Sequence, residues 1–285
     1  MLKAKVNGVE LAYAVYGEGE PLILAHGYTS SKEMWDGQIG PFSERYRVVV
    51  YDARGHGESE APPADDPGYS LTTLVEDQRA LMDHLGIERA YVGGLSMGGM
   101  IAMRFALAHP KMVRALMLFD TAAGIAGEGS AVVQALRANS AAIEAFVRSQ
   151  GVATLVRGLY AQRAATTPGF SPDGLPSGVL QHIEGLQRMN VDGFLGCGRV
   201  LGDQEDVLER LPEITTPALI LVGDQDFLLG PSEQMKERLP DARFVLIKGS
   251  THGTALWRPE EFASAVLDFL ADVEAGRPVA GREER

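Results

Sequence analysis

The chain has 285 residues, enough to bury a sizeable core as one domain with an insertion or as two domains, and its 45% hydrophobic and 22% charged content is ordinary for a soluble globular enzyme. A net charge of −12 argues against a nucleic-acid partner, which would need a basic face, but leaves anionic small substrates open. The single cysteine, Cys197, excludes intrachain disulfides and reads as a small buried residue, and no Cys/His spacing for structural zinc is present. The first eight residues, from Met1 to Gly8, have no apolar signal core, and no apolar stretch is long enough to span a membrane. The expectation is a cytoplasmic protein with no membrane partner, no metal and no cofactor, either a monomer or a homo-oligomer.

Ala4 to Tyr16 alternates polar and apolar residues around Asn7-Gly8, the pattern of a hairpin with a primed turn. Leu22 to Ala25 is a short, wholly apolar strand of the kind covered on both faces, and it ends at His26-Gly27-Tyr28-Thr29. A helix is expected from about Ser31 to Phe42, and a buried strand from Tyr46 to Tyr51 ends at Asp52-Ala53-Arg54-Gly55-His56-Gly57-Glu58-Ser59. Leu71, Leu74, Val75, Leu81, Met82 and Leu85 fall at helical spacing behind a Ser70 or Thr72 cap, and Gly86 ends that helix. Ala90 to Gly94 is the next strand, Met97 to Ala108 a helix stopped by His109-Pro110, and Val113 to Phe119 another strand. Apolar strands alternating with helices predict a parallel sheet with right-handed crossovers.

The rhythm breaks from about Thr121 to Leu211, which is Ala-rich and helix-patterned, with apolar stripes at Val132 to Leu136, Ile143 to Val147, Val152 to Tyr160 and Val179 to Met189 and a loop over 167–174. This predicts a helical insertion above the sheet; its arginines, such as Arg137, Arg157 and Arg163, could meet a substrate carboxylate but read first as a solvated face. Strands at Ala218 to Val222 and Ala242 to Ile247 and helices over Pro231 to Leu239 and Pro259 to Val273 complete the chain. The expected division is a core over 1–120 and 212–275, an insertion over 121–211, and a disordered tail over 276–285.

Chemistry concentrates at Gly94-Leu95-Ser96-Met97-Gly98, where an apolar strand turns at once into a helix. Gly-x-Ser-x-Gly in that context is a nucleophile elbow, with the serine on a strained turn and small neighbours to avoid clashes. A dinucleotide fingerprint fails because Leu95 or Ser96 falls where its second glycine belongs, and a P-loop fails because Met100 replaces its lysine. A serine hydroxyl needs a base and a group orienting that base. Of six histidines, His252 lies just past the last core strand, on the sheet edge that carries Ser96. His84 and His109 belong to helices, His182 to the insertion, His56 to a Gly-His-Gly turn, and His26 to the backbone structure of its loop. The acid is expected from Gly223-Asp224-Gln225-Asp226; Asp226 has turned off the strand toward His252, Asp224 would brace the turn, and Asp120 after the preceding strand is a rival. The backbone N–H groups of Met97 and Tyr28 are the candidate oxyanion donors, and the Tyr28 ring is either a substrate contact or a packed loop aromatic.

Five motifs in order, His26-Gly27, Asp52 to Ser59, Gly94 to Gly99, Gly223-x-x-Asp226 and Gly249-x-x-His252, resemble the α/β-hydrolase superfamily over nearly the whole chain apart from insertion and tail. The resemblance implies an α/β fold with a mostly parallel eight-stranded sheet, a helical cap inserted after the sixth strand, a Ser96–His252–Asp226 triad, and a mainly structural role for Asp52 to Ser59. A serine at position 96 departs from the haloalkane dehalogenases and epoxide hydrolases, and Tyr28-Thr29-Ser30 departs from the proline-bearing loops of iminopeptidases, C–C hydrolases and perhydrolases. Gly94 to Met100 together with Phe194-Leu195-Gly196-Cys197 looks most like 3-oxoadipate enol-lactonases and related carboxylesterases. The expected activity is hydrolysis of a small ester or lactone through an acyl-enzyme; C–C bond hydrolysis or perhydrolysis on the same triad, and a ligand-sensing protein that keeps the pocket, are the alternatives.

Overall fold

The structure is a computed structural model that describes residues 2–124, 140–158, 175–203 and 205–285. Nine strands form one sheet in the order β1-β2-β4-β3-β5-β6-β7-β8-β9: β1 (Leu2–Val6), β2 (Val9–Tyr16), β3 (Glu20–Ala25), β4 (Tyr46–Tyr51), β5 (Ala90–Leu95), β6 (Val113–Phe119), β7 (Ala218–Gly223), β8 (Ala242–Ile247) and β9 (Gly281–Glu284). Only the β1–β2 and β2–β4 pairings are antiparallel. The β1–β2 turn is primed as expected, with φ of 45° at Asn7 and 82° at Gly8.

Both faces of the sheet are covered, which explains the runs of consecutive apolar residues in its inner strands, such as Leu22 to Ala25 and Ala218 to Val222. Along β6, Ala115, Met117 and Phe119 pack with Trp35, Phe42, Phe262 and Phe269 on one side, while Leu116 and Leu118 join Met100, Ile101 and Phe105 on the other. The first face is closed by α1 (Asp36–Ser43) and a C-terminal helix (Pro259–Glu274); the second by α2 (Leu71–His84) and α3 (Met97–Ala108). The Ser70 hydroxyl caps α2 by accepting from the Thr73 N–H at 3.0 Å, so Ser70 and not Thr72 is the cap.

The sheet has one strand more than the eight expected, and the residues read as a disordered tail supply it. Gly281–Glu284 pairs in parallel with Arg243–Leu246, Arg282 bonds Glu233 at 2.9 Å and lies 4.7 Å over the Phe244 ring, and Arg285 bonds Asp268 at 2.8 Å. Gly-Arg-Glu-Glu-Arg shows no apolar alternation because ladder bonds and ion pairs at a sheet edge hold it, not burial.

Between β6 and β7 the described secondary structure is helical, with α4 (Ser140–Gln150), α5 (Ser177–Gly185) and α6 (Val191–Asp203). The stripe at Val132 to Leu136, the loop over 167–174, Arg137 and Arg163 lie outside the described residues; Arg157 is exposed, as a solvated face requires. Val147, Val152, Val156, Leu186, Met189 and Phe194 form a cluster of their own, so these helices have a small core above the sheet. The cluster is fastened to the Gly55-His56 turn through α6. A Cβ on Gly193 would overlap the Gly55 carbonyl, one on Gly196 would enter the Tyr69 ring, and the Tyr28 hydroxyl donates to the Phe194 carbonyl at 2.6 Å. Among the described residues no helix is long and apolar enough to cross a membrane.

Two glycine substitutions separate packing from propensity. Ala at a helical position gains about 1 kcal/mol over Gly, but Gly193 meets backbone that cannot yield. Gly193→Ala is therefore expected to destabilise by about 1–3 kcal/mol net. Gly37 in α1 is exposed, and a Cβ there would make only an ordinary contact with the Pro259 Cβ at 3.7 Å, so Gly37→Ala is expected to stabilise by about 0.5–1 kcal/mol. Denaturant midpoints of the two variants against the parent check both signs.

Candidate active site

Ser96 stands between β5 and α3 with φ of 56° and ψ of −115°, a conformation that L residues with a side chain rarely hold. The turn is kept tight by backbone bonds: Ser96 N–H donates to the Phe119 carbonyl at 2.9 Å, and the Ser96 carbonyl accepts from the Thr121 hydroxyl at 2.7 Å and Met100 N–H at 3.0 Å. No Cβ fits at three neighbouring glycines. One on Gly94 would overlap the Gly98 carbonyl, one on Gly98 the Ala25 carbonyl, and one on Gly99 would come within 2.6 Å of the Thr121 side chain. The turn from β5 to α3 is therefore tight, with Ser96 at its apex.

The loop after β3 lies against it, since a Cβ on Gly27 would sit 3.5 Å from that of Ser96. Met97 N–H opens α3 and so has no partner within its helix, and Tyr28 N–H has no acceptor among the described residues. These are the two amides expected to face an oxyanion. Thr29 follows with φ of 62°, strained for a β-branched residue, and its hydroxyl donates to the Tyr28 carbonyl at 2.6 Å. The Tyr28 ring is stacked on Phe194 at 5.3 Å between centroids, and its hydroxyl is already engaged with the Phe194 carbonyl, so most of the side chain serves as packing between loop and cap.

Beyond β7 and β8 the structure brings Asp226 and His252 together. His252 Nδ1 is 3.0 Å from Asp226 Oδ2 and 3.2 Å from Oδ1, and Leu228 N–H donates to Asp226 Oδ1 at 2.9 Å. Burial of Asp226 would raise its pKa, but the His252 charge and hydrogen bond, followed by the Leu228 amide, hold it below the ordinary carboxylate value. The carboxylate is thus ready to keep a proton on Nδ1 and leave Nε2 as the basic nitrogen. Asp224 braces its turn by accepting from Ser250 N–H at 3.2 Å, and Asp120 is buried one strand away with backbone amides around it. Neither is bonded to the imidazole. Phe227, which sequence reasoning passed over, is 48% exposed with its ring 4.7 Å from that of His252; its place beside Asp226 was the available signal.

The remaining histidines near the site are structural. His26 Nε2 accepts from Ala53 N–H at 3.0 Å while Nδ1 lies 2.7 Å from the Gly27 carbonyl, so a neutral ring ties the loop after β3 to the loop after β4. Asp52 accepts from the backbone N–H groups of Lys32 and Glu58 at 2.7 and 3.0 Å, and Arg54 forms a bidentate pair with Asp77 at 2.6 Å. The Asp52 to Ser59 segment is a brace. His182 of α5 touches Ser30 at 3.3 Å, a further tie between cap and loop. Cys197 is fully buried, and burial pushes its thiol up to about 12.

A family model described as the alpha/beta hydrolase fold matches residues 20–259, and the chain belongs to that family. It is 31% identical to the 3-oxoadipate enol-lactonase 2 of Acinetobacter baylyi over 90% of this chain and 92% of that one. Among solved structures it is similar to a thermophilic esterase from Thermogutta terrifontis, with a TM-score of 0.81, 25% identity and coverage of 96% and 99% of the two chains. It is likewise similar to the enol-lactonase from Burkholderia xenovorans LB400, with a TM-score of 0.79, 26% identity and coverage of 95% and 100%.

The buried histidines set an acid limit on stability. Burial pushes His26 down to about 4 and His56 down to about 3, the latter helped by His26 beside it, whereas in the unfolded chain both return to about 6.5. On acidification the unfolded state takes up these protons first, so native stability should fall as pH drops from about 6.5 toward about 4. Asp120, whose pKa is raised to about 7, contributes the opposite slope over this window. The check therefore compares urea midpoints of the parent and His56→Gln at about pH 7.5 and about pH 5: the parent should lose more on acidification, and an equal loss in both would contradict a neutral buried His56 ring.

Proposed function

We propose that this protein is a serine hydrolase that cleaves a small carboxylic ester or lactone through an acyl-enzyme. That it hydrolyses ester bonds follows from its family and from relatives named as enol-lactonases and esterases. The finer mechanism rests above all on the bond between His252 Nδ1 and Asp226, formed on the sheet edge where Ser96 occupies its strained turn.

In this reading Asp226 holds the imidazole tautomer, and His252 Nε2 takes the proton as Ser96 Oγ bonds to the carbonyl carbon. The carbonyl oxygen becomes an oxyanion and is met by the N–H groups of Met97 and Tyr28, each donor of this kind being worth about 3 kcal/mol in the transition state. Collapse breaks the bond to the leaving oxygen, which takes the proton from His252; with a lactone that oxygen stays tethered to the acyl chain. Water then attacks the acyl-enzyme, giving its proton to His252, and the acid leaves as Ser96 regains a hydrogen. No metal or cofactor is needed for any of these transfers. Tyr28 remains the substrate-contact candidate through the part of its ring not covered by Phe194.

With a chromogenic short-chain ester, Ser96→Ala is expected to lower kcat by about 10⁴-fold or more. In the parent, a slowly deacylating ester should add its acyl mass to the peptide that contains Ser96. Unchanged turnover in Ser96→Ala, or an acyl mass on another peptide, would remove the nucleophile from this reading.

A further inference from the structure

Asp120 terminates β6 with φ of 44°, fully buried. Four donors converge on its carboxylate. Oδ1 accepts from Gly223 N–H at 3.2 Å; Oδ2 accepts from Gly253 N–H at 3.1 Å, Thr254 N–H at 2.7 Å and the Thr254 hydroxyl at 2.8 Å. Its own N–H donates to the Leu221 carbonyl at 2.9 Å, anchoring it to β7. Gly223 closes β7 three residues before Asp226, and Gly253, with φ of 99°, follows His252 directly. One side chain is therefore bonded to both loops whose tips form the Asp226–His252 pair. A buried carboxylate with a second carboxylate close by is costly, and burial together with the Asp226 charge raises Asp120 to about 7. Such an acid is retained only where its bonds are worth that cost.

We propose that Asp120 is a positioning residue for His252: its carboxylate locks the Gly253-Thr254 segment to the end of β7, so that the imidazole is presented to Ser96 and Asp226 in one orientation. The inference rests on the triad assigned above. It accounts for an acid at position 120 that makes no bond to the imidazole. Three donors at Oδ2 and one at Oδ1 call for acceptors at both oxygens; an amide satisfies the first group and places its own N–H₂ against Gly223 N–H. Asn also tolerates a left-handed φ, so Asp120→Asn perturbs the bonds without forcing the backbone.

The test measures kcat and KM with the same chromogenic ester, together with thermal melting, for Asp120→Asn, Asp226→Asn, Thr254→Val and Thr254→Ser. A misplacement of the base lowers kcat by about 10²-fold with KM little changed, and that is the expectation for Asp120→Asn at a temperature where melting shows it folded. Thr254→Val should lower kcat in the same direction by less, and Thr254→Ser, which keeps the hydroxyl, should restore it. A purely structural Asp120 would lower the melting temperature and leave kcat per folded molecule at the parent value, which would overturn the proposal. Should Asp120→Asn fail to fold, the threonine pair decides, because equal kcat in Thr254→Val and Thr254→Ser would also overturn it. Asp226→Asn separates this from the triad itself: a loss of about 10⁴-fold there upholds the triad whatever Asp120 does. Full activity in Asp226→Asn beside an inactive Asp120→Asn would transfer the acid role to Asp120 and end both readings.

Discussion

The architecture of the site depends on one steric constraint, the absence of Cβ atoms where α3 meets the ends of β3 and β5. At Gly98 the helix backbone lies against the carbonyls of Ala25 and His26, and at Gly94 the strand lies against Gly98 itself. With any side chain there, α3 would have to withdraw from the sheet. Because it does not, the first amide of α3 and the loop beginning at Gly27 are forced into the same small volume beside Ser96. The proposed pair of oxyanion donors is thus a by-product of close packing, which rigid surroundings then hold in place.

Left-handed backbone at residues other than glycine is confined to Asn7 in the hairpin turn and to Thr29, Ser96 and Asp120 among the described residues. The last three sit just beyond β3, β5 and β6, all on one edge of the sheet. Each is held by bonds from outside its own turn or by its own hydroxyl: the Thr29 hydroxyl to Tyr28, the Ser96 carbonyl to Thr121, the Asp120 carboxylate to three other residues. Local strain of this sort persists when the surroundings over-determine it, and it clusters where side chains are held to a task. The acid pair adds an electrostatic counterpart, since Asp226 ionises readily beside His252 while Asp120 is pushed the other way.

The strands and the elbow were legible in the sequence because their signals are local: apolar runs bounded by turns, and glycines at fixed offsets from a serine. The pairing of Asp226 with His252 was legible at one remove, through the order of strands. The edge strand at Gly281–Glu284 was not, because its hold on the sheet comes from backbone ladder bonds and ion pairs with Glu233 and Asp268, partners far away in the chain. Nor was the part played by Asp120. A carboxylate at a strand end reads the same whether it faces an imidazole or the amides beside one, and only the placement of Gly223, Gly253 and Thr254 decides. The ring of Phe227 beside His252 belongs to the same class, being a consequence of how two loops meet.

The contact between Gly193 and Gly55 has a bearing on how such a protein can diverge. Two backbones touch there without intervening side chains, with the Tyr69 ring packed against Gly55 and Gly196 and the Cys197 thiol 3.8 Å from the Arg54 carbonyl beside them. At this seam neither Gly193 nor Gly196 leaves room for a Cβ. Positions 193 and 196 are thereby closed to any residue with a side chain unless the backbone seam reopens. In that sense α6 is a fixed abutment whose place against the core is written in two absent side chains.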